Sequence, residues 1–333
     1  MVIMGNLTGK RVLVTGAGGF IGSHVTEALV REGASVIGFV HYNSRNDWGN
    51  LELLEEEIRK EVNVFAGDVT DPFSVRTAAL DSEIIFHLAA LIGIPYSYTA
   101  PASYVAVNVT GTLNVMEAAR ETGARVVHTS TSETYGSAQY VPIDEKHPLV
   151  GQSPYSASKI AADKIVESYY RSFDMPVVTV RPFNNYGPRQ SARAVIPTII
   201  SQVVSGFPEI KLGLTTPIRD LLYVSDTARG YMLAASSQEA EGETINLGYG
   251  KGITIGDLAR MIIEISGKDV SVVSDESRVR PEKSEVTQLI ADNTKAKALL
   301  GWEPRVELRE GLERCYAYIR DNLSLFKPEI YNV

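Results

Sequence analysis

The chain predicts a doubly wound α/β fold, with a parallel sheet covered on both faces by helices and a smaller mixed α/β portion after it. Three observations carry this. Short apolar runs rich in β-branched residues alternate with helix-like segments through the first half, the first run flows into a glycine-rich turn, and after Arg181 the pattern gives way to recurring prolines. The runs are Arg11–Thr15, Ser35–Val40, Val62–Ala66, Ile84–Leu88, Arg125–Thr129 and Pro176–Arg181. Between them, Phe20–Glu32 places Ile21, Val25, Ala28 and Leu29 on one helical face, and Asn108–Thr122 and Pro154–Phe173 form two longer helices. Ser153-Pro154 supplies a cap residue followed by proline at the first helical position. Pro182, Pro188, Pro197, Pro208 and Pro217 mark the loop-rich second portion, where Thr254 caps a helix over Ile255–Ser266 with Asp257 in its first turn. The expected division is residues 1–182 plus a returning segment at about 219–248 for the larger unit, and 183–218 with 249–333 for the smaller.

The chain has 333 residues, 44% hydrophobic and 22% charged, which suits about two structural units. Lys plus Arg number 32 against 40 Asp plus Glu, a net charge of -8, which argues against nucleic acid as the main partner while leaving room for local arginines around a small anionic ligand. The single cysteine, Cys315, forbids an internal disulfide and fits a reducing compartment; on a C-terminal helix beside Leu312 and Tyr316 it reads as packing. No apolar run approaches the roughly 20 residues of a membrane span, and the first residues lack the features of a signal peptide, so the expected setting is the cytoplasm, away from any membrane.

Arg11–Thr15 runs into Gly16-Ala-Gly18-Gly19-Phe20-Ile21-Gly22 and then a helix. Glycines at such a turn let the backbone bend and approach a pyrophosphate, and the helix start offers free N–H groups and a positive dipole end. In strand–turn–helix context this reads as a dinucleotide site. The acid that would hold the adenosine ribose is missing: the second strand ends His41-Tyr42-Asn43-Ser44-Arg45, with no carboxylate before Asp47. That removes the usual NAD signature and leans towards NADP, leaving the cofactor as NAD(P). Asp68, followed by Val69 after the third strand, belongs near the adenine edge or caps a helix starting near Pro72. Trp48 stacks on adenine or covers the core. Tyr155 and Lys159 lie four apart on one helical face, where an ammonium near a phenol favours the phenolate and makes a proton-transfer pair. No metal-ligand cluster is expected.

At this point the chain resembles the extended short-chain dehydrogenase/reductases that modify nucleotide sugars. The resemblance rests on Thr15–Gly22, His87-Leu88-Ala89-Ala90, Asn108-Val-Thr-Gly111, Ser130-Thr131-Ser132-Glu133-Thr-Tyr-Gly136, Tyr155 with Lys159, Arg181-Pro-Phe-Asn184, Arg219-Asp220 and Arg280-Pro281, and so spans nearly the whole length. It implies a Rossmann-type doubly wound sheet with a C-terminal substrate domain. It also implies cofactor contacts from the glycine turn, Leu88, Ala89, Ala90 and Asn108 alongside Tyr155 and Lys159, and a helical homodimer (or tetramer) interface on Tyr104–Thr122 and Pro154–Phe173. Thr131 matches the residue that joins Tyr155 at the sugar hydroxyl. Family 4,6-dehydratases carry Thr-Asp-Glu here, with Asp as acid and Glu as base at C5, whereas 4-epimerases carry small or neutral residues. This chain reads Thr131-Ser132-Glu133, keeping the base and losing the acid.

The resemblance therefore implies a 4,6-dehydratase, with elimination concerted at Glu133 or an unsaturated or C5-inverted product. Leu91–Tyr98, His128–Gly136, Gly151–Tyr155 and Gly187–Pro197 look like the dehydratases of legionaminic- and pseudaminic-acid-type pathways, which act on UDP- or GDP-linked N-acetylglucosamine. By the same resemblance Asn184, Arg219 and Arg280 face the nucleotide diphosphate, with Arg189 and Arg193 as further candidates. A 4-epimerase is the nearest rival, and a catalytically silent NAD(P)-binding regulator is the rival from another class.

Overall fold

The computed structural model describes residues 7–279 and 281–332. Seven parallel strands form the main sheet: β1 (Arg11–Thr15), β2 (Ser35–His41), β3 (Val62–Gly67), β4 (Ile84–His87), β5 (Arg125–Thr129) and β6 (Val177–Pro182), joined by a later strand, Thr244–Leu247, in the spatial order β3-β2-β1-β4-β5-β6-(244–247). Side chains alternate across it. Val12 and Val14 pack with Val25 and Leu29 on one face, while Leu13 packs with Val115, Met116 and Val166 on the other, as the two-residue period of a strand buried on both sides requires. The parallel register sets Thr15, His87 and His128 in line at the C-terminal ends of β1, β4 and β5.

Helices form where the sequence signals place them. Phe20–Arg31 follows the glycine turn, and Pro154–Phe173 starts at Ser153, whose hydroxyl accepts from Ser156 N at 3.1 Å while Ser156 Oγ accepts from Ser153 N at 2.9 Å. Thr254 caps Ile255–Ser266 through Asp257 N. The helix expected from Asn108 begins three residues later, at Gly111, because Val105–Thr110 winds into a wider π-helical turn.

After β6 come β7 (Asn184–Tyr186), β8 (Glu209–Leu212) and β9 (Ile218–Tyr223). The Thr244–Leu247 strand is β10, followed by β11 (Gly252–Thr254), β12 (Ser271–Ser274) and β13 (Gln288–Leu289). β7, β9, β11 and β13 make a small second sheet, and β8 pairs with β12. The core of this portion joins Ile199, Ile200 and Val203 to Leu258, Ile262, Leu312, Cys315 and Ile319. Cys315 is buried there, and burial pushes its thiol up to about 12, which leaves it an inert packing residue.

The expected division needs two corrections. Residues 218–223, placed with the larger unit, pair in the small sheet, and the returning portion begins with the helix Val224–Ser236, which packs on Val25 and Leu29. Ala296, Leu300 and Trp302, placed with the smaller unit, pack against the main sheet's core, because the Trp302 indole finds both an apolar pocket and an acceptor for its N–H at Asp226 O (2.9 Å).

One buried carboxylate ties these segments together. Asp220, fully buried on β9, accepts backbone N–H groups from Tyr249 (2.5 Å), Gly250 (2.8 Å) and Ala291 (3.0 Å). Burial pushes its pKa up to about 6 against the pull of those three donors. Asp220→Ala orphans all three and costs about 3 kcal/mol or more in chemical denaturation, while Asp220→Asn, which keeps one acceptor oxygen, costs less.

Candidate active site

At the end of β1 the chain turns at Gly16 with φ +71, where a Cβ would lie 2.8 Å from Ala89 N. A Cβ on Gly22 would lie 2.1 Å from Gly16 O, so only glycine lets the helix Phe20–Arg31 start this close to the turn. That helix begins after Gly19 with no side-chain cap, leaving its first-turn N–H groups for an anion. Phe20 stands edge-on to His24, Gly18 lies against the carbonyl of Trp48, and the Trp48 ring packs on the core, which settles its sequence-level ambiguity towards a structural role. Leu88, Ala89 and Ala90 continue from β4 beside Gly16, held by Thr15, whose hydroxyl oxygen accepts from Leu88 N and Ala89 N (3.2 Å each). The same hydroxyl donates to His87 Nδ1 (2.8 Å). His87 Nε2 donates to Thr112 Oγ1 (3.0 Å), and Thr112 donates to Asn108 O (2.6 Å). The glycine cradle, the uncapped helix start and this fully satisfied support fit a dinucleotide.

The adenosine end is more open. His41, Ser44 and Arg45 are exposed, while Asn43 folds its amide back onto Arg45 N, Asp47 N and Asp47 O, so it builds the turn. Asp68 accepts from Thr70 N and Thr70 Oγ1 (2.8 Å each) and sits 4.0 Å from His41 Nδ1. It does not cap the next helix: Asp71 does, through Phe73 N and Ser74 N, because it directly precedes Pro72. Val69 is buried under Gly111. Asn108, expected at the cofactor, is 1% exposed and spends its amide on Leu91 N, Leu91 O and Ser158 Oγ. It positions the loop after β4 against the Tyr155 helix instead of reaching a ligand.

Thr131 caps a tight turn over Ser132–Tyr135 at the end of β5, accepting from Glu133 N at 3.2 Å. Its hydroxyl also lies near enough to the Tyr155 hydroxyl to favour the phenolate. Tyr155 is 7% exposed, with Tyr104 edge-on at 6.2 Å between ring centroids. Burial pushes its pKa well above the ordinary phenol, and the nearby charge of Glu133 adds to that. Glu133 is half-buried and its charge reaches Tyr155, while Ser132 is 1% exposed. Lys159 is buried, and its Nζ donates to Thr129 O (2.6 Å), so it lies one turn beneath the phenol without bonding to it. The sequence places the ammonium near the phenol on one helical face, and here the carbonyl end of β5 takes its hydrogen bond.

Below Lys159 lies a cluster that sequence reasoning missed. Asp163 accepts from Ser130 Oγ (2.7 Å), His128 Nε2 (3.1 Å) and Arg181 Nη2 (2.8 Å), and Arg181 reaches on to Tyr135 Oη (3.1 Å). The only sequence signal was the four-residue spacing from Lys159, since its partners come from β5 and β6.

Asn184, Arg193 and Arg219 line one cavity of about 280 Å³, together with Gln190, Arg278 and Glu285. The Arg193 guanidinium also lies against Gly93 and its charge reaches Tyr104, which links the cavity to Tyr155. Arg219 pairs with Glu285 (3.0 Å), and the side-chain oxygens of Asn184 and Gln190 are buried without a partner. Arg280 lies outside the described residues. Arg189 points elsewhere: Glu27 (2.7 Å) and His24 (2.6 Å) on the helix after the glycine turn hold its guanidinium. A larger open depression of about 450 Å³ beside Tyr249 and Lys297 holds side chains that pair with one another and none of the residues above. Among the described residues no group of three or more His, Cys, Asp or Glu side chains could hold a metal, and no helix is long and apolar enough to cross a membrane.

Burial holds His24 and His128 down at about 4, so both are neutral in the folded chain while their unfolded counterparts protonate near 6.5. The unfolded chain therefore binds more protons through this window, and stability falls as pH drops from 6.5 to about 4. Denaturation midpoints measured across that range decline, and His24→Gln makes the decline shallower.

The family model described as "GDP-mannose 4,6 dehydratase" matches residues 13–315. A dTDP-glucose 4,6-dehydratase from Actinoplanes sp. is 32% identical over 94% of this chain and 99% of its own. A UDP-glucuronate 4-epimerase from Thermodesulfobacterium geofontis is 33% identical over 95% and 98%. Among solved structures, the UDP-glucuronic acid 4-epimerase from Bacillus cereus, in complex with UDP-glucuronic acid and NAD, superposes with a TM-score of 0.85 at 30% identity, covering 94% of this chain and 99% of that one. With its glycine turn, Thr131, Tyr155 and Lys159 at the carboxyl ends of one parallel sheet, the chain belongs to the GDP-mannose 4,6-dehydratase family, the extended short-chain dehydrogenase/reductases whose members are nucleotide-sugar 4,6-dehydratases and 4-epimerases.

Proposed function

We propose that the chain is a nucleotide-sugar 4,6-dehydratase acting on UDP- or GDP-linked N-acetylglucosamine with a tightly held NAD or NADP. The observation that carries this reading is Glu133, a half-buried carboxylate on the Thr131 turn whose charge reaches the Tyr155 phenol. Epimerisation needs only oxidation at C4 and a turn of the ketone, so it has no task for a base at C5. Elimination does, because the C4 ketone acidifies the C5 proton. An anion next to a buried phenol raises the cost of ionising it, and a site without use for the carboxylate gains nothing from keeping it there.

Bound NAD(P) supplies the hydride acceptor at C4 and the hydride donor at C6. Thr131 and Tyr155 hold the C4 hydroxyl, and Tyr155 takes its proton as the C–H bond breaks. Burial raises the Tyr155 phenol; the substrate hydroxyl and Thr131 are the donors that favour its phenolate, the form that accepts the proton. Glu133 then removes the C5 proton. Ser132 is buried and a serine hydroxyl is a poor acid, so Glu133, carrying the proton it has taken, protonates the departing C6 hydroxyl. The enolate that hydride return to C6 leaves then takes a proton of solvent origin at C5. Lys159 holds positive charge beneath the pair and orients the nicotinamide ribose. Arg193, Arg219 and Asn184 receive the nucleotide diphosphate. With Ser44 and Arg45 exposed after β2 and no carboxylate at its end, the ribose site favours a 2′-phosphate.

Incubation with UDP-N-acetylglucosamine, and in parallel the GDP sugar, in heavy water yields a product with deuterium at C5 and a new C6 methyl group by NMR. A product inverted only at C4 with its C5 proton retained makes the chain an epimerase, and no product from any nucleotide sugar makes it a silent binding protein. Glu133→Gln abolishes elimination yet still allows substrate to reduce the bound cofactor, read from nicotinamide absorbance; loss of that reduction gives Glu133 a different task. Mass spectrometry of the nucleotide released on denaturation reads the 2′-phosphate directly. The helices of the expected dimer interface expose Leu113 and Phe173, with Val105 in the turn before the first, which supports pairing of two copies. Sedimentation as a monomer at micromolar concentration removes that reading.

A further inference from the structure

Lys159 poses an electrostatic problem that its visible contacts do not solve. Its ammonium is 3% exposed and has one hydrogen-bond acceptor, Thr129 O. A buried ammonium with a single neutral partner loses its proton unless an anion is near, and a neutral lysine cannot hold positive charge under Tyr155. Among the described residues no carboxylate forms an ion pair with it. One turn further along the same helix, however, stands Asp163, 6% exposed and fixed by three side chains: His128 and Ser130 from the β5 segment, and Arg181 from β6. Tyr155, Lys159 and Asp163 succeed one another at four-residue intervals along one helix, so hydroxyl, cation and anion descend in order from the site into the core.

We propose that Asp163 is a positioning residue for the catalytic pair: the buried counter-charge, anchored by Arg181, His128 and Ser130, that keeps Lys159 an ammonium. The charge count supports it. His128 is neutral, so Asp163, Arg181 and Lys159 together carry one net positive charge, and ionising Tyr155 brings the buried set to neutrality. Without Asp163 the set starts with two positive charges and no counter-ion. Burial pulls Lys159 down to about 8, and Asp163 is the group that opposes the pull. Asp163 itself stays ionised because the His128 hydrogen bond and the Arg181 charge hold it far below the ordinary carboxylate against the upward push of burial. The other titratable groups that act on the pair are Glu133, Tyr104 and Tyr231, whose hydroxyl donates to Thr129 Oγ1 (3.0 Å), and His87, which is fully buried and neutral.

This rests on Tyr155 and Lys159 being the catalytic pair, and the test separates the two ideas by reading ionisation as well as turnover. The first measurement needs no variant at position 163. In protein labelled with ¹⁵N at lysine Nζ, with Lys159→Arg identifying the signal, Lys159 is an ammonium at pH 7; a neutral amine there overturns the proposal whatever the activity. The second follows the pH dependence of cofactor reduction by substrate in a single turnover. Asp163→Asn removes a negative charge next to both members of the pair and moves both limbs of the profile to lower pH by a unit or more. Asp163→Glu, which restores the charge, returns the limbs towards the wild-type positions. A merely structural role lowers the plateau and leaves the limbs in place, and that result overturns the proposal. If Asp163→Asn does not fold, Arg181→Gln carries the test: it leaves Asp163 less compensated, so the alkaline limb moves up, and a limb that stays or moves down refutes the assignment.

Discussion

Burying the ammonium of Lys159 is the constraint on which the site depends. A lysine at the carboxyl end of a parallel sheet must find its partners there, and the end of β5 supplies one in Thr129 O. Once the helix Pro154–Phe173 is docked with Lys159 inward, its periodicity fixes the rest. Tyr155 one turn earlier meets Thr131, and Asp163 one turn later meets β5 and β6. The Ser153–Ser156 cap and Pro154 fix where that helix starts, and so set the register of the three residues against the strands. A shift of one residue would rotate all three away together, by about 100° around the helix axis.

Near this pair the balance of charge distinguishes the two chemistries of the family. An epimerase wants a hydroxyl pair and a binding pocket; a dehydratase needs in addition a carboxylate that reaches the carbon next to the ketone. Thr131 lets one short turn serve both ends, because its oxygen accepts from Glu133 N while its hydroxyl meets Tyr155. Glu133 is thereby held two residues from Thr131, the placement on which the proposed deprotonation at C5 rests. Ser132 between them turns into the protein, so under the proposed dehydration proton delivery is the step where this chain departs from the Thr-Asp-Glu pattern.

What the sequence revealed was what is local. The strands, the glycine turn, the Ser153 and Thr254 caps and the Tyr155–Lys159 spacing are each written within a few consecutive residues, and the structure has them where the patterns put them. What it concealed depends on partners far along the chain. Asp163 is an unremarked residue of an amphipathic helix until β5 and β6 bring His128, Ser130 and Arg181 against it. Asn108 reads as a ligand contact until Leu91 and Ser158 claim its amide. The π-helical turn before Gly111 has no signature in composition, and Arg189 and Arg193, similar in sequence context, separate only because Glu27 and His24 capture the first.

Behind the cavity lined by Asn184, Arg193 and Arg219, carboxylates spend themselves on backbone N–H groups. Consecutive residues on a strand point to opposite faces, so on β9 Arg219 enters the cavity while Asp220 turns behind it to hold Tyr249, Gly250 and Ala291. Asp226 does the same one step further, accepting from Arg305 N (2.8 Å) and Val306 N (2.9 Å) while its own carbonyl takes the Trp302 indole. Three chain segments that meet nowhere in sequence are thus pinned to one strand and the helix that follows it. By facing backwards, Asp220 leaves Glu285 as the only acid among the described residues that line the cavity, and that one is already paired with Arg219. The adjacent Arg and Asp are therefore two separate functions, placed on opposite faces by the pleat of the strand.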